Sequence, residues 1–178
     1  MDWKGLRRIV TGDDEAGRSR VVIDGDAAKL IAVDESGLAE IWSATLTKAG
    51  LLDGRDALAE REVCLEPDKG CVKVRWFTVA PEDPGANVDA LDAAAAATFA
   101  AVGAAHARVD TSRHPMMHKT DTLDVIVVVK GEVDLLLDEG EARSLKPGDV
   151  VVQRATNHAW VNRGKETALL VAALINAG

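Results

Sequence analysis

The sequence predicts a mainly β protein whose second half closes into a sandwich or barrel, with extra strands before it and one short helical segment between. Three observations carry this. From Met117 to Ile175, short apolar runs follow one another with turns between them. Residues 1–80 add further short β-branched runs separated by turns. Residues 89–107 break the pattern with an alanine-rich stretch poor in strand formers. Several short strands at such spacing, punctuated by Gly and Pro, mean a sandwich or barrel.

Taken in order, residues 20–23 are largely apolar and β-branched and end at the turn Gly25-Asp26. Residues 30–33 and 39–46 are further strands, and 72–79 (VKVRWFTV) mixes alternation with aromatics. Pro81, Pro84 and Gly85 break the chain. A helix is expected from Asp89 to Val102, ending near Gly103, with a flexible insertion over the barrel as its alternative. The strands of the second half follow at 125–129, 133–137, 142–145, 150–153, 159–162 and 168–175, with turns at Gly131, Gly140 and Pro147-Gly148. One structural domain results: N-terminal strands over 1–86 packing on the barrel, a helical or linker segment over 87–113, and the barrel core over 114–178.

A length of 178 residues, with 47% hydrophobic and 28% charged residues, suits a globular domain with a proper core. The net charge of −8, spread along the chain, argues against nucleic acid and anionic membrane surfaces, which both need a basic face. The basic start at Lys4, Arg7 and Arg8 leads into no apolar region, and no apolar run is long enough to span a membrane. A cytoplasmic protein is therefore expected. Cys64 and Cys71 read as reduced thiols, diagonal neighbours if Pro67-Asp68-Lys69-Gly70 turns a hairpin. Neither a P-loop nor a dinucleotide-binding glycine fingerprint occurs, so no organic cofactor is expected.

The chemistry concentrates in two segments. Read as one strand, residues 118–128 place His118, Thr120, Thr122, Asp124, Ile126 and Val128 on one face. That face is polar at its entrance and apolar beyond, as the wall of a small barrel with a site at its mouth should be. The other face, with Leu123, Val125, Val127 and Val129, needs a cover: the N-terminal strands, the alanine-rich segment or a second copy of the chain. In the second segment the same parity groups His158, Trp160 and Asn162. If both faces turn inward, two imidazoles and a carboxylate converge beside an indole, a set suited to a divalent transition metal with open positions for water or substrate.

The run from His118 to Gly131 resembles the first motif of the cupin family, in which two histidines one residue apart precede a glutamate and then a glycine. His118 stands at the first histidine, Thr120 at the second, Asp124 at the glutamate and Gly131 at the glycine. The run PGDVVVQRATNHAWVN resembles the second motif: Pro147-Gly148-Asp149 opens it, His158 and Asn162 keep the expected gap, and Ala155 replaces the usual glycine. The resemblance covers residues 114–175. It implies a double-stranded β-helix, an antiparallel jelly-roll barrel, and pairing of barrels sheet to sheet as a homodimer. It also implies a divalent ion (Fe, Mn, Ni or Zn) on the family's ligand positions, of which this sequence keeps three: His118, Asp124 and His158. The substitution at Thr120 leaves open a metal-free pocket, in which the same three residues act catalytically or simply bind.

Thr120, Thr122, Trp160, Asn162 and Arg154 complete the expected pocket, with Arg154 either a carboxylate clamp or an outer-surface charge. The functional expectation is an enzyme acting on a small carbonyl or carboxylate molecule inside the barrel. A non-catalytic small-molecule-binding barrel is the alternative.

Overall fold

The computed structural model describes residues 2–178. A hairpin of β1 (Arg8–Asp13) and β2 (Ser19–Gly25) leads into β3 (Lys29–Val33) and β4 (Ser36–Thr45). After a short helix α1 (Lys48–Leu52) and a loop comes β5 (Cys71–Val79), then helix α2 (Val88–Ala101). The second half holds β6 (Leu123–Lys130), β7 (Val133–Leu137), β8 (Arg143–Leu145), β9 (Val150–Arg154), β10 (His158–Val161) and β11 (Ala168–Ile175). This is the mainly β barrel that the sequence predicts. Among the described residues no helix is long and apolar enough to cross a membrane.

Two sheets form the barrel: six strands in the order β3-β4-β5-β11-β6-β9, facing three in the order β10-β7-β8. From β6 onward the chain passes repeatedly between them. Gly131 makes the first crossing at φ 75°, where an added Cβ would meet the Ala168 Cα at 2.9 Å. Ile126, Val128, Val133, Leu135, Trp160, Leu170 and Leu174 fill the interior from both sheets.

Register fixes what faces inward, because side chains alternate and paired residues share a face. One inner row runs Gln153, Asp124, Leu174, Lys73, Ser43 across β9, β6, β11, β5 and β4. The next runs Val151, Ile126, Ala172, Arg75, Glu40, and a third runs Val128, Leu170, Phe77, Leu38. The barrel is thus polar at one end and apolar at the other. On the outer face one row reads Val152, Val125, Ala173, Val74, Trp42 and its neighbour Val150, Val127, Val171, Trp76, Ala39.

β3, β4 and β5 are hydrogen-bonded into the large sheet, β5 pairing directly with β11, whereas β1 and β2 form a separate two-stranded sheet. The β1–β2 hairpin, of which β1 carries no clear signal in the sequence, is tied on by Arg8, whose guanidinium donates to Asp26 O, Ile41 O and Asp56 Oδ2. Residues 61–70 form a loop, not the hairpin arm considered for the cysteines, and both thiols are free. The expected continuous strand over 118–128 is also shorter. It begins at Leu123, and before it only His118 pairs, through a single bridge to His158.

Candidate active site

At the polar end, the His118 and His158 backbones exchange two hydrogen bonds of 2.9 Å each. Directly opposed residues of an antiparallel pair put their side chains on the same side. The two imidazoles therefore lie against each other, with centroids 4.3 Å apart and planes tilted by 46°. The row extends both ways. Phe99 lies 4.9 Å from the His118 ring, Trp160 lies edge-on 5.6 Å from His158, and Phe77 follows Trp160 at 6.2 Å. Phe99 comes from α2, whose only buried residues are Ala95 and Phe99. The alanine-rich helix thus covers the mouth of the barrel and sets one aromatic ring on the site.

Each imidazole faces a main-chain carbonyl through Nδ1, His118 that of Met116 and His158 that of Thr156, both at 2.9 Å. A carbonyl only accepts, so Nδ1 carries the proton and Nε2 keeps a lone pair. Burial pushes His158 down to about 3, and the neighbouring His118 pushes the same way. Burial also lowers His118. Both rings are neutral at ordinary pH.

Asp124 sits deeper on the same inner face and is buried. Burial raises its carboxyl from the usual 3.8 to about 6, against hydrogen bonding from Thr122 and the charge of Arg75. It does not join the two histidines: among the described residues no group of three His, Cys, Asp or Glu side chains is placed to hold a metal ion. The expected set of three is a pair of touching, tilted imidazoles plus a separate carboxyl. Down the strand from the pair, Thr122 hydrogen-bonds that carboxyl and the charge of Arg75 acts on it, both favouring its ionised form.

Thr120 and Thr122 are buried and share a 2.7 Å hydrogen bond between their hydroxyls. Trp160 is a buried wall beside His158. Two expected pocket residues take other positions. Asn162 is fully buried, but its amide donates to Val79 O and Glu166 O and accepts from Gly164 N, so it locks a turn. Arg154 is exposed at the end of β9, opposite Leu123 on the outer row. His114 also lies outside the barrel, 2.8 Å from Glu82 through Nε2.

Sequence reasoning missed the charged residues of β4 and β5. Lys73, Arg75 and Glu40 are all buried, and Arg75 Nη2 lies 2.9 Å from Glu40 Oε1. The segment before β5 closes over them: Lys73 Nζ donates to Cys64 O and Glu66 O, and Arg75 Nη2 to Cys64 O. The available signal was the alternation in VKVRWFTV, which puts Lys73, Arg75 and Phe77 on one face. Eight buried side-chain polar atoms among the described residues lack a hydrogen-bond partner, and five belong to Glu40, Arg75 and Asp124. Such an atom left dry costs about 1–3 kcal/mol.

No protein-family model matches the chain. Over 48 residues it is 60% identical to the phomopsin biosynthesis cluster protein C' of Diaporthe leptostromiformis, a match covering 27% of this chain and 25% of that protein. Over 46 residues it is 50% identical to the cupin-domain-containing oxidoreductase srdD of Neurospora crassa, covering 26% and 24%. The chain therefore matches about a quarter of the length of these curated relatives. A solved Cupin 2 conserved barrel domain protein from Salinispora arenicola aligns with 84% of this chain and 83% of its own, at 14% identity and a TM-score of 0.43.

Proposed function

We propose that this chain, which matches cupin-domain-containing oxidoreductases over 26% of its length, is a cupin-type enzyme moving a proton on a small organic molecule inside the barrel. The observation that carries the reading is a buried carboxyl with Oδ1 unpartnered and two buried neutral imidazoles in one barrel interior, burial raising Asp124 to about 6 and lowering His158 to about 3. Environments that push titratable groups out of their usual order mark acid–base sites. A base works best when its pKa lies near the working pH, which favours Asp124 over the histidines. Asp124, with Oδ1 unpartnered, removes a proton from the substrate and returns it at another atom. The Nε2 lone pairs of His118 and His158 orient a substrate hydroxyl. Isomerisation, dehydration and decarboxylation all use such a step without a co-reactant, and the fold does not choose among them.

The test is deuterium uptake by a panel of small carbonyl compounds in heavy water, followed by NMR across pH. We expect uptake with an apparent pKa near 6 that Asp124→Asn abolishes, and a loss of rate in His158→Gln with the pKa unmoved. No protein-dependent uptake by any compound would leave the non-catalytic binding barrel as the better reading.

A divalent ion is the second reading for the histidine pair. What favours it is the Nδ1–carbonyl contact of each ring, the usual way a ligating histidine is oriented. Iron, manganese, nickel or zinc held by His118 and His158 would polarise a substrate oxygen. Thr120→His should then tighten metal binding and His158→Ala abolish it. Titration calorimetry showing no binding by either wild type or Thr120→His would exclude this reading.

A further inference from the structure

Asp124 has two oxygens, and two buried hydroxyls decide which of them is free. Thr120 and Thr122 share the inner face with Asp124, and their Oγ1 atoms lie 2.7 Å apart. Main-chain bonds pin the segment that carries them: Lys119 N donates to Ala107 O, and Ala155 N donates to Thr122 O. Thr122 also hydrogen-bonds the Asp124 carboxyl. Asp124 Oδ1 has no hydrogen-bond partner, so the Thr122 hydroxyl sits on Oδ2.

A count of protons sets the direction of these bonds. Each hydroxyl has one proton to give, and an ionised carboxyl only accepts. The Thr122 proton therefore goes to Asp124. The bond between the two threonines must then use the Thr120 proton, with Thr122 Oγ1 accepting. The opposite order fails twice. It would take the Thr122 proton away from the carboxylate. It would also strand the Thr120 proton, because among the described residues Thr120 Oγ1 has no hydrogen-bond partner besides Thr122. A buried donor left unmade is expensive, so the order that uses both protons is the stable one. Hydrogen bonds in a chain also polarise one another, so accepting from Thr120 makes Thr122 a stronger donor.

We propose that Thr120 and Thr122 are positioning residues: an oriented hydroxyl chain, from Thr120 to Thr122 to Asp124 Oδ2, that holds the carboxyl and leaves Oδ1 to take and return the proton. The proposal rests on the reading of Asp124 as the proton-moving group, and it names the residues that aim it. Both threonines act through Asp124. Thr120 thereby has a task of its own at the position where the first cupin motif carries its second histidine.

The test reads the carboxyl directly, as the carbon resonance of Asp124 in protein labelled at its aspartate carboxyls, followed by NMR across pH. The wild-type midpoint should lie near 6. Thr122→Val removes a hydrogen bond to the ionised form and should raise the midpoint by about one unit. Thr122→Ser restores the hydroxyl and should bring it back. Thr120→Val separates the two bond directions. In the proposed order Thr122 loses the donor that strengthens it, and the midpoint rises by less than in Thr122→Val. In the opposite order the Thr122 proton would be released to the carboxylate, and the midpoint would fall. The charges that act on the carboxyl, Arg75 on β5 and Glu66 in the segment before it, stay in place in every variant. Circular dichroism reports the fold, and Thr120→Ala carries the same sign if the valine variant does not fold. A midpoint that falls or stays still in the Thr120 variant, or that Thr122→Val leaves unmoved, overturns the proposal. The titration needs no substrate. The expected shifts without deuterium uptake by any compound would leave the hydroxyl chain standing and remove the catalytic reading. Uptake by an enzyme whose Asp124 midpoint ignores both threonines would do the reverse.

Discussion

Ala155 stands where the second cupin motif carries glycine, and its backbone is left-handed at φ 48°. That conformation costs an L-residue with a Cβ about 1–2 kcal/mol, while glycine loses roughly 0.5–1 kcal/mol of unfolded-chain entropy. Ala155→Gly should therefore raise stability by about 0.5–1 kcal/mol, read as a higher urea midpoint at unchanged slope. Asp124 makes the opposite kind of contribution. Its carboxyl titrates near 6 in the fold and at 3.8 when ordinary, so the folded state holds a proton that the unfolded state has lost between those values. Its stability contribution falls as pH rises from about 4 to 6, reaching a deficit on the order of 3 kcal/mol at neutrality. Asp124→Asn should be more stable than wild type at pH 7 by about 2–3 kcal/mol, with the gap closing near pH 4. A constant difference across that range would show that burial does not displace the carboxyl. The lowered histidines have the other sign: His158 costs stability as pH falls from about 6.5 towards 3.

At the scale of elements, α2 supplies most of its influence through one ring. Phe99→Ala removes a side chain of 4% exposure that lies tilted against His118, which should cost about 3 kcal/mol. It should also let water reach the imidazole, so that His118 titrates closer to 6.5 in an NMR pH series. An unchanged titration would mean that α2 does not shield the site. Period-two parity alone makes the inner face of β6 and the segment leading into it legible: Thr120, Thr122, Asp124, Ile126 and Val128 are all buried. The helix was legible from its alanines. That Phe99 would meet His118 was not, because nothing local in the sequence says which element lies over the barrel mouth. The Lys73–Arg75–Glu40 group stayed hidden for a related reason. Charges inside a strand read as one solvated face until a partner strand is known, and the β4–β5–β11 pairing is long-range.

For the whole molecule, the outer rows from Val152 to Trp42 and from Val150 to Ala39 carry no charge across five strands. Val150 and Val152 are 57% and 56% exposed, and Leu123 and Val129 are 42% and 48% exposed. Monomers seldom leave such an apolar edge, over β6 and β9, in water, and a stable pair needs about 800 Å² from each partner. A second copy is the occupant we expect, with Arg154 at the rim of the contact. Sedimentation at micromolar protein should give twice the 18.8 kDa chain mass, and Val152→Lys should halve it. A wild-type monomer would rule the pairing out.

The covering pieces of the site, residues 62–66 and α2, lie apart in sequence from the strands that carry His118, Asp124 and His158. They join one another through Leu65 N donating to Val102 O at 2.9 Å. On the proposed reading, what the barrel does to a molecule and which molecules it admits are written in different stretches of chain. The exposed positions of α2 can drift without disturbing the chemistry beneath. Exchanging those two stretches between related barrels should move ligand preference while the pH profile of the reaction stays where Asp124 sets it. A lineage facing many similar small molecules could diversify by editing its door and leaving the room untouched.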